Sequence, residues 1–190
     1  FGHKCILSRT GYSGERGYEI FAASDVIGDI WDNIVGQGKD LGLMPCSFTS
    51  LDKVRVEATL LFYGYDMTTE HTPWEVGLGW TINRNKNDFR GKEAVFASEG
   101  KERFKMVGLE IDHNDALAGG EKLKKDNEEV GAVNSPVWSN RMKKSLALAH
   151  IRPDLIEPST KINVSSDDIN CSATVKQTPF YDPKKTKTHH

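Results

Sequence analysis

Short apolar runs near the start of the chain predict a β-hairpin. The runs Cys5–Leu7 and Tyr18–Ala22 enclose a connection with three glycines at three-residue intervals, Gly11, Gly14 and Gly17. Glycine admits positive φ angles and close backbone approach, so this spacing favours a tight, ordered connection between two strands. Alternation along the second strand places Glu19 on the face opposite its two apolar neighbours. The Glu19 carboxylate therefore either faces water or stands on a rigid element at the edge of a pocket.

Two later stretches repeat apolar residues at three- and four-residue steps, which predicts amphipathic helices. The first covers residues 26–35, and its apolar stripe, which includes Trp31, is expected to face the core. The second is predicted at residues 51–61, with a stripe made of Leu51, Val54, Ala58 and Leu61. Arg55 lies off the centre of that stripe, where a surface ion pair with Asp52 is the usual arrangement.

The segment Pro73–Trp80 is rich in aromatic and glycine residues and leads into a strand predicted at Leu78–Ile82. Glycines beside tryptophans either let the backbone approach a flat ligand or allow close packing of a helix on a sheet. The pattern leaves both interpretations open. A short helix is predicted to start at Asp88 and to end near Ser98.

From Phe104 onwards the chain consists of short extended runs separated by turn residues. The predicted strands are Phe104–Ile111, Glu129–Asn134, Ser145–Ile151, Lys161–Ser165 and Cys171–Gln177, with Pro136 among the residues that interrupt them. The charged stretch Leu123–Glu129 is predicted to be an exposed hairpin turn centred on Asp126 and Asn127. Such a pattern indicates a small antiparallel barrel or sandwich. We therefore expect one domain at residues 1–100, a second at residues 104–183, and a frayed polar tail at residues 184–190.

Composition and charge exclude several classes of function. The 190 residues carry a net charge of −2 with acids and bases interspersed, so a nucleic-acid partner is not expected. The apolar runs are far shorter than the ~18 residues of a membrane span, and a signal peptide is not predicted. Three widely spaced cysteines indicate a reducing, cytoplasmic compartment. No metal site is predicted, because the neighbours of His71 do not recur at ligand spacing.

Several segments in series resemble the glycine cleavage system T protein (aminomethyltransferase) superfamily. The segments are Ser8-Arg-Thr-Gly-Tyr-Ser-Gly-Glu-x-Gly-Tyr-Glu-Ile20, Arg55-Val-Glu-Ala58 with Phe62-Tyr-Gly64, Thr72-Pro-x-Glu-x-Gly-Leu-Gly-Trp80, Asp88-Phe-x-Gly-Lys-Glu-Ala94, Ser135-Pro-x-Trp-Ser139, Lys143-Lys-Ser-Leu-Ala-Leu-Ala149 and Pro179-Phe-Tyr-Asp-Pro183. Their order matches the C-terminal half of that family. The resemblance implies an α+β fold, in which part of a folate-binding α/β domain is followed by a small antiparallel β-barrel.

The resemblance also implies a function. Family members transfer an aminomethyl group from a lipoyl carrier protein to tetrahydrofolate, and they are about twice as long as this chain. The start at Phe1 without a methionine fits a fragment. The aspartate credited with the key catalytic role is then expected in a missing N-terminal half, and the isolated fragment is expected to be inactive.

Two residues match positions that bind folate in the family, and three more are candidates for the same site. Glu19 corresponds to the pterin-binding glutamate and Arg55 to an arginine of the folate pocket, while Trp80 is expected to pack against the flat ligand. Tyr12 and Tyr63 are further candidates. A carboxylate suits a pterin because it accepts from two adjacent N–H groups at once.

Two departures from the family pattern leave the one-carbon donor open. Thr49-Ser-Leu-Asp52 stands where Gly-Ala-Arg-Asp is usual, and Thr59 stands where glycine is usual. Folate-dependent demethylases that act on dimethylsulfoniopropionate or aromatic methyl ethers share the scaffold and remain an alternative. A folate-binding protein without catalytic activity is another.

Overall fold

The computed structural model describes residues 1–188 as a set of helices with a β-hairpin, followed by a barrel. The hairpin pairs β1 (Cys5–Ser8) with β2 (Glu19–Ala22), and the helices are α1 (Ile27–Gly38), α2 (Phe48–Glu57) and α3 (Lys92–Ala97). The remaining strands are β3 (Lys105–Ile111), β4 (Lys122–Lys125), β5 (Glu128–Ser139), β6 (Lys144–Ile151), β7 (Lys161–Ser165) and β8 (Asn170–Lys176). None of the helices within residues 1–188 is long and apolar enough to cross a membrane.

The six later strands close into an antiparallel barrel in the order β3-β6-β5-β4-β7-β8, with β8 paired to β3. The inward positions are apolar and buried, as the alternation along each strand requires. On β6 the outward residues Leu146 and Leu148 are buried too, because α2 places Val56 against them. This cover explains the continuous apolar run on β6. The predicted small antiparallel barrel is confirmed.

Two parts of the barrel differ from the prediction. Strand β5 continues through Pro136 to Ser139, because its register shifts between Val133 and Ser135 and a proline is tolerated beside such a bulge. The stretch predicted as an exposed turn contains β4, in which Leu123 is fully buried. The turn itself lies at the two predicted residues, Asp126 and Asn127, whose φ angles are 51° and 67°.

The helices lie near their predicted positions but bury different residues. Ser47 caps α2 by accepting a hydrogen bond from the backbone N–H of Ser50. The buried residues of α2 are Arg55, Val56 and Glu57 rather than those of its apolar stripe. Arg55 and Glu57 are buried because each forms a hydrogen bond with a serine of the barrel. On α1 the expectation that Trp31 faces a core is wrong for the described chain, since that residue is 56% exposed.

The aromatic and glycine-rich segment forms a 3₁₀ turn at Gly79–Thr81 instead of the predicted strand. A Cβ atom on Gly79 would lie 2.4 Å from the indole ring of Trp74, so the glycine permits close packing there. The indole Nε1 of Trp74 donates to the carbonyl of Val95, 2.7 Å away, which joins the segment to α3. Of the two interpretations, internal packing applies to Trp74 and Gly79.

Glu75 links the aromatic and glycine-rich segment to the start of the barrel through hydrogen bonds. Its buried carboxylate accepts from Arg103 Nε at 2.7 Å and from the backbone N–H of Thr72 at 2.8 Å. The hydrogen bond from Arg103 lowers the pKa of Glu75 to about 2. The backbone of Glu75 also accepts from the N–H of Met106 on β3.

The chain is packed against the rest of the fold up to Thr188, which is buried. This differs from the frayed tail expected over residues 184–190. His189 and His190 lie outside the described residues. The domain boundaries at residues 100 and 104 stay a prediction.

Candidate functional site

A cavity of about 600 Å³ lies between α2 and the barrel. The α2 side and its following loop contribute Phe48, Thr49, Asp52, Arg55, Phe62, Gly64 and Tyr65, and the barrel side contributes Leu117, Ala118, Gly119, Gly120, Val133, Asn134, Ser135 and Pro136. A volume of this size is typical of small-molecule sites. The cavity is therefore the principal candidate for a binding site in the described chain.

Arg55 is the predicted site residue that lines this cavity. Its Nε donates to Asp52 at 2.7 Å, and its Nη1 donates to Asp66 at 2.5 Å and to the carbonyl of Leu60 at 3.2 Å. Nη2 donates to the hydroxyl of Ser135 on β5 at 2.9 Å. A guanidinium has five N–H donors, so one N–H of Nη2 has no partner among residues 1–188. The surface ion pair with Asp52 is present, but Arg55 itself is buried.

Asp66 holds the centre of this polar network. One carboxylate oxygen accepts from Arg55 and from the backbone N–H of Phe62, while Oδ1 has no hydrogen-bond partner among the described residues. The carbonyl of Asp66 lies 2.8 Å from Nε2 of His150 on β6, and burial lowers the pKa of His150. Sequence reasoning missed Asp66, although it follows the motif Phe62-Tyr-Gly64 by two residues.

Aromatic rings form one wall of the cavity. The ring of Phe62 meets Tyr65 edge-on at 5.4 Å and Phe48 at 6.1 Å between centroids, and the Arg55 guanidinium lies 5.6 Å from the Phe62 centroid. Such rings offer flat apolar surface, while the carboxylate of Asp52 and the remaining N–H of Arg55 offer a hydrogen-bond acceptor and a donor. This combination suits a flat ligand with polar edges.

Glu19 is located outside the lining of this cavity. It is the first residue of β2, its side chain is exposed, and its carboxylate accepts a hydrogen bond from the hydroxyl of Thr10. The described structure does not bring Glu19 into one hollow with Arg55. The role of Glu19 therefore stays a prediction that rests on the resemblance.

The other three predicted residues have different surroundings. Tyr12 donates its hydroxyl to the carbonyl of Leu61 at 2.6 Å, packs its ring 6.5 Å from that of Phe62, and has its pKa raised by burial. The side chain of Tyr12 therefore links the segment between β1 and β2 to the aromatic wall of the cavity. Tyr63 and Trp80 are 62% and 82% exposed and do not line the cavity. Within residues 1–188, no group of three or more metal-ligating side chains forms a candidate metal site.

Two family models match the chain in series. Residues 1–86 match the GCVT N-terminal domain, and residues 105–182 match the glycine cleavage T-protein C-terminal barrel domain. The chain belongs to the glycine cleavage T-protein family. The resemblance in the sequence motifs is thereby confirmed.

The names of proteins similar to this chain refer to several different activities. The chain is 39% identical to the heme-dependent oxidative N-demethylase gamma subunit of Ectopseudomonas mendocina, covering 98% of this chain and 52% of that protein. It is 37% identical to an aminomethyltransferase of a Geobacillus species, covering 95% and 50%. It is 34% identical to the trimethylamine-oxide aldolase of Ruegeria pomeroyi, covering 98% and 24%. The chain thus spans about half the length, or less, of these relatives.

A solved structure shows the same fold. The glycine cleavage system aminomethyltransferase T from Bartonella henselae superimposes with a TM-score of 0.87 at 23% identity, over 94% of this chain and 50% of that one. The arrangement of hairpin, helices and barrel is therefore that of the T-protein fold.

Proposed function

We propose that this chain is part of a tetrahydrofolate-dependent one-carbon transferase of the aminomethyltransferase type. The observation that carries the proposal is the cavity between α2 and the barrel of a T-protein family member, with Arg55 and aromatic rings in its lining. Its volume and its mixture of flat apolar walls with a few polar groups suit the rings of a folate.

The residues have separate roles in this proposal. Glu19 lies outside the cavity lining and takes its role from the family resemblance: it accepts from the adjacent N–H groups of the pterin, which fixes the orientation of the ring. Arg55 offers its remaining N–H to the ligand while its other donors hold the wall in place. Tyr12 couples the two regions, because it belongs to the connection before Glu19 and touches Phe62 of the cavity. Trp80 and Tyr63 supply exposed aromatic surface outside the cavity lining.

The contribution of this chain to the reaction is orientation. An aminomethyl group on a lipoyl arm is transferred to tetrahydrofolate, which gives 5,10-methylenetetrahydrofolate as ammonia leaves. Residues that hold the folate nitrogen within reach of the carbon replace a bimolecular encounter by a positioned one. The aspartate that manages charge in this reaction is assigned to an N-terminal half of the same protein.

Several exposed apolar side chains are consistent with an N-terminal half that packs against this chain. They are Ile6, Leu7, Tyr18, Phe21, Ile27, Trp31, Leu41, Met44 and Phe48. These residues all lie within residues 6–48, and a large exposed apolar surface is uncommon on monomers and marks a surface that becomes covered. We propose that the N-terminal half packs here and that the isolated chain has no turnover.

A second candidate differs only in the donor. Two relatives carry names that refer to N-methylated substrates, the N-demethylase gamma subunit and the trimethylamine-oxide aldolase. A one-carbon unit released from an N-methyl group would then reach the same folate site. Supplying the whole protein with a lipoyl-bound aminomethyl group or with formaldehyde separates the two donors. The measurement is methylenetetrahydrofolate formation above that of a protein-free control, because formaldehyde condenses with tetrahydrofolate without an enzyme. If folate binds but neither source gives product, the result would favour a demethylase acting on dimethylsulfoniopropionate or aromatic methyl ethers, or a folate-binding protein without catalytic activity.

The folate site itself is tested by Glu19→Gln. Loss of one charge-assisted pair is expected to weaken tetrahydrofolate binding about 10- to 100-fold, measured by calorimetry on the whole protein. Glu93→Gln on the exposed face of α3 is the matched control and should bind like the parent. Equal affinities for all three proteins would contradict the role assigned to Glu19.

A further inference from the structure

The C-terminal strap, residues 179–188, is built around one carboxylate. Asp182 has a φ angle of 45°, and its side chain accepts from the backbone N–H groups of Thr186, Lys187 and Thr188 at 3.0, 2.7 and 2.9 Å. The hydroxyls of Thr186 and Thr188 donate to it as well, each at 3.1 Å. Burial alone would raise the pKa of Asp182, but these N–H donors hold it well below its ordinary value. The polar end of the chain is thus a folded loop.

The strap lies on the glycine loop, residues 9–18, which connects β1 to β2. The backbone N–H of Arg16 donates to the carbonyl of Thr188 at 2.8 Å, and Nζ of Lys185 donates to the carbonyl of Gly14 at 3.3 Å. These contacts join residues that are more than 170 positions apart in the chain. They hold the centre of the glycine loop.

The barrel holds the same loop from its other side. Arg141, in the turn between β5 and β6, pairs with Glu15 at 2.9 Å and with Glu57 of α2 at 3.4 Å. Its guanidinium also stacks 4.1 Å from the ring centroid of Tyr181 in the strap. Ser139 donates to Glu57 at 2.6 Å. Strap, barrel and α2 therefore converge on residues 14–16 of the glycine loop.

The shape of the glycine loop determines where Glu19 stands. Within the loop, Arg9 donates to the carbonyl of Gly17 at 2.7 Å, and Thr10 donates to Glu19 itself. Glu19 pairs with Ser8 at the mouth of the loop, where the hairpin begins. Since Glu19 is exposed, the loop rather than a surrounding core places its carboxylate.

We infer that Asp182 is a positioning residue, which folds the C-terminal strap so that the strap holds the glycine loop in the shape that presents Glu19 to the folate. The inference rests on the proposed function for its ligand. Its mechanical part, the coupling of strap to loop, is independent of any ligand.

Hydrogen exchange tests the coupling. In Asp182→Ala, amides of residues 11–18 are expected to exchange about tenfold faster, while those of β6 keep their protection, because the strap no longer covers the loop. Asp167→Ala, at an exposed turn between β7 and β8, is the matched control. Lys185→Met and Lys184→Met form a second, milder pair. Nζ of Lys185 donates to the carbonyl of Gly14, whereas within residues 1–188 the exposed Lys184 makes no hydrogen bond or ion pair to the loop. Unchanged exchange in both Asp182→Ala and Lys185→Met would overturn the inference.

A double-mutant cycle tests the consequence for Glu19. Asp182→Ala is expected to weaken tetrahydrofolate binding about tenfold in the parent protein. In the Glu19→Gln background it should weaken binding less than about twofold, because the interaction that Asp182 positions has already been lost. Full additivity of the two substitutions would show that the strap does not act through Glu19 and would refute the positioning role. If the parent does not bind folate, the proposed function and the presentation of Glu19 fail together. The exchange experiment still decides the coupling in that case.

Discussion

Thr59 follows α2 in a conformation that a β-branched residue rarely adopts. Its φ angle is 60°, and its backbone N–H donates to the carbonyl of Val56 at 2.9 Å. The buried Oγ1 has no hydrogen-bond partner among the described residues. The family resemblance places glycine here, and the left-handed backbone gives the physical reason for that preference. The departure noted in the sequence is therefore a local cost in stability.

Replacing Thr59 by glycine is expected to stabilise the protein. Relief of the left-handed strain and of the unpaired hydroxyl should exceed the entropy that glycine adds to the unfolded state, for a net gain of about 1 kcal/mol. Urea unfolding of Thr59→Gly measures this gain. Thr69→Gly, at an exposed position without a positive φ angle, should lose stability instead. A loss of stability in Thr59→Gly would contradict the explanation.

The glycine loop and α2 meet through two small residues. A Cβ atom on Gly14 would lie 2.3 Å from the Cβ of Ala58, and the φ angle of Gly14 is 72°. Gly11 has open space around its missing side chain. Of the three evenly spaced glycines, Gly14 is therefore the one that the contact with the helix requires.

Gly14→Ala and Gly11→Ala form a matched pair at the scale of the hairpin. Gly14→Ala is expected to cost about 2–3 kcal/mol through backbone strain and overpacking, whereas Gly11→Ala should change stability by less than about 0.5 kcal/mol. Chemical denaturation monitors both. In the Gly14→Ala background, Ala58→Gly should recover part of the loss. Equal effects at the two glycines would refute the close contact as its cause.

At the scale of the whole molecule, a buried polar network joins α2 to the barrel. Arg55 contacts Asp66 in the loop after the helix and Ser135 on β5, and His150 on β6 contacts the carbonyl of Asp66. The network lies beside the cavity, so the residues that hold the two parts together also support the walls of the candidate site. The side chain of Asp66 is fully buried, and its carboxylate is paired with the guanidinium of Arg55.

Arg55→Met is expected to destabilise the protein by about 3–5 kcal/mol, because it leaves the Asp66 carboxylate buried without its cation. Thermal unfolding followed by circular dichroism measures the loss. Ser135→Ala removes one neutral acceptor and should cost only about 1 kcal/mol. Adding Asp66→Asn to Arg55→Met should restore part of the stability, since the uncompensated charge disappears. A double variant no more stable than Arg55→Met would exclude the buried charge as the cause.

Much of the barrel could be predicted from the sequence because each strand carries its own signal. Alternating apolar positions and turn residues locate β3, β6, β7 and β8 to within a residue or two. The short β4 could not be found in this way, because lysines flank its one fully buried residue, Leu123. The candidate site was predicted only in part: Arg55 lines the cavity, but Asp66 was missed, and the motifs that contain Ser135 and Asp182 did not indicate what those side chains contact.

The sequence by itself determined the family, through its motifs in series, and the barrel strands and the turn at Asp126 and Asn127, because periodicity and turn preferences act over a few residues. Only the tertiary structure decided that Arg55 and Glu57 are buried, that Trp31 is exposed and that the chain end folds onto the glycine loop. The physical reason is that burial of a charge depends on its partners. Those partners come from residues 66 to 141, which no pattern within α2 can specify.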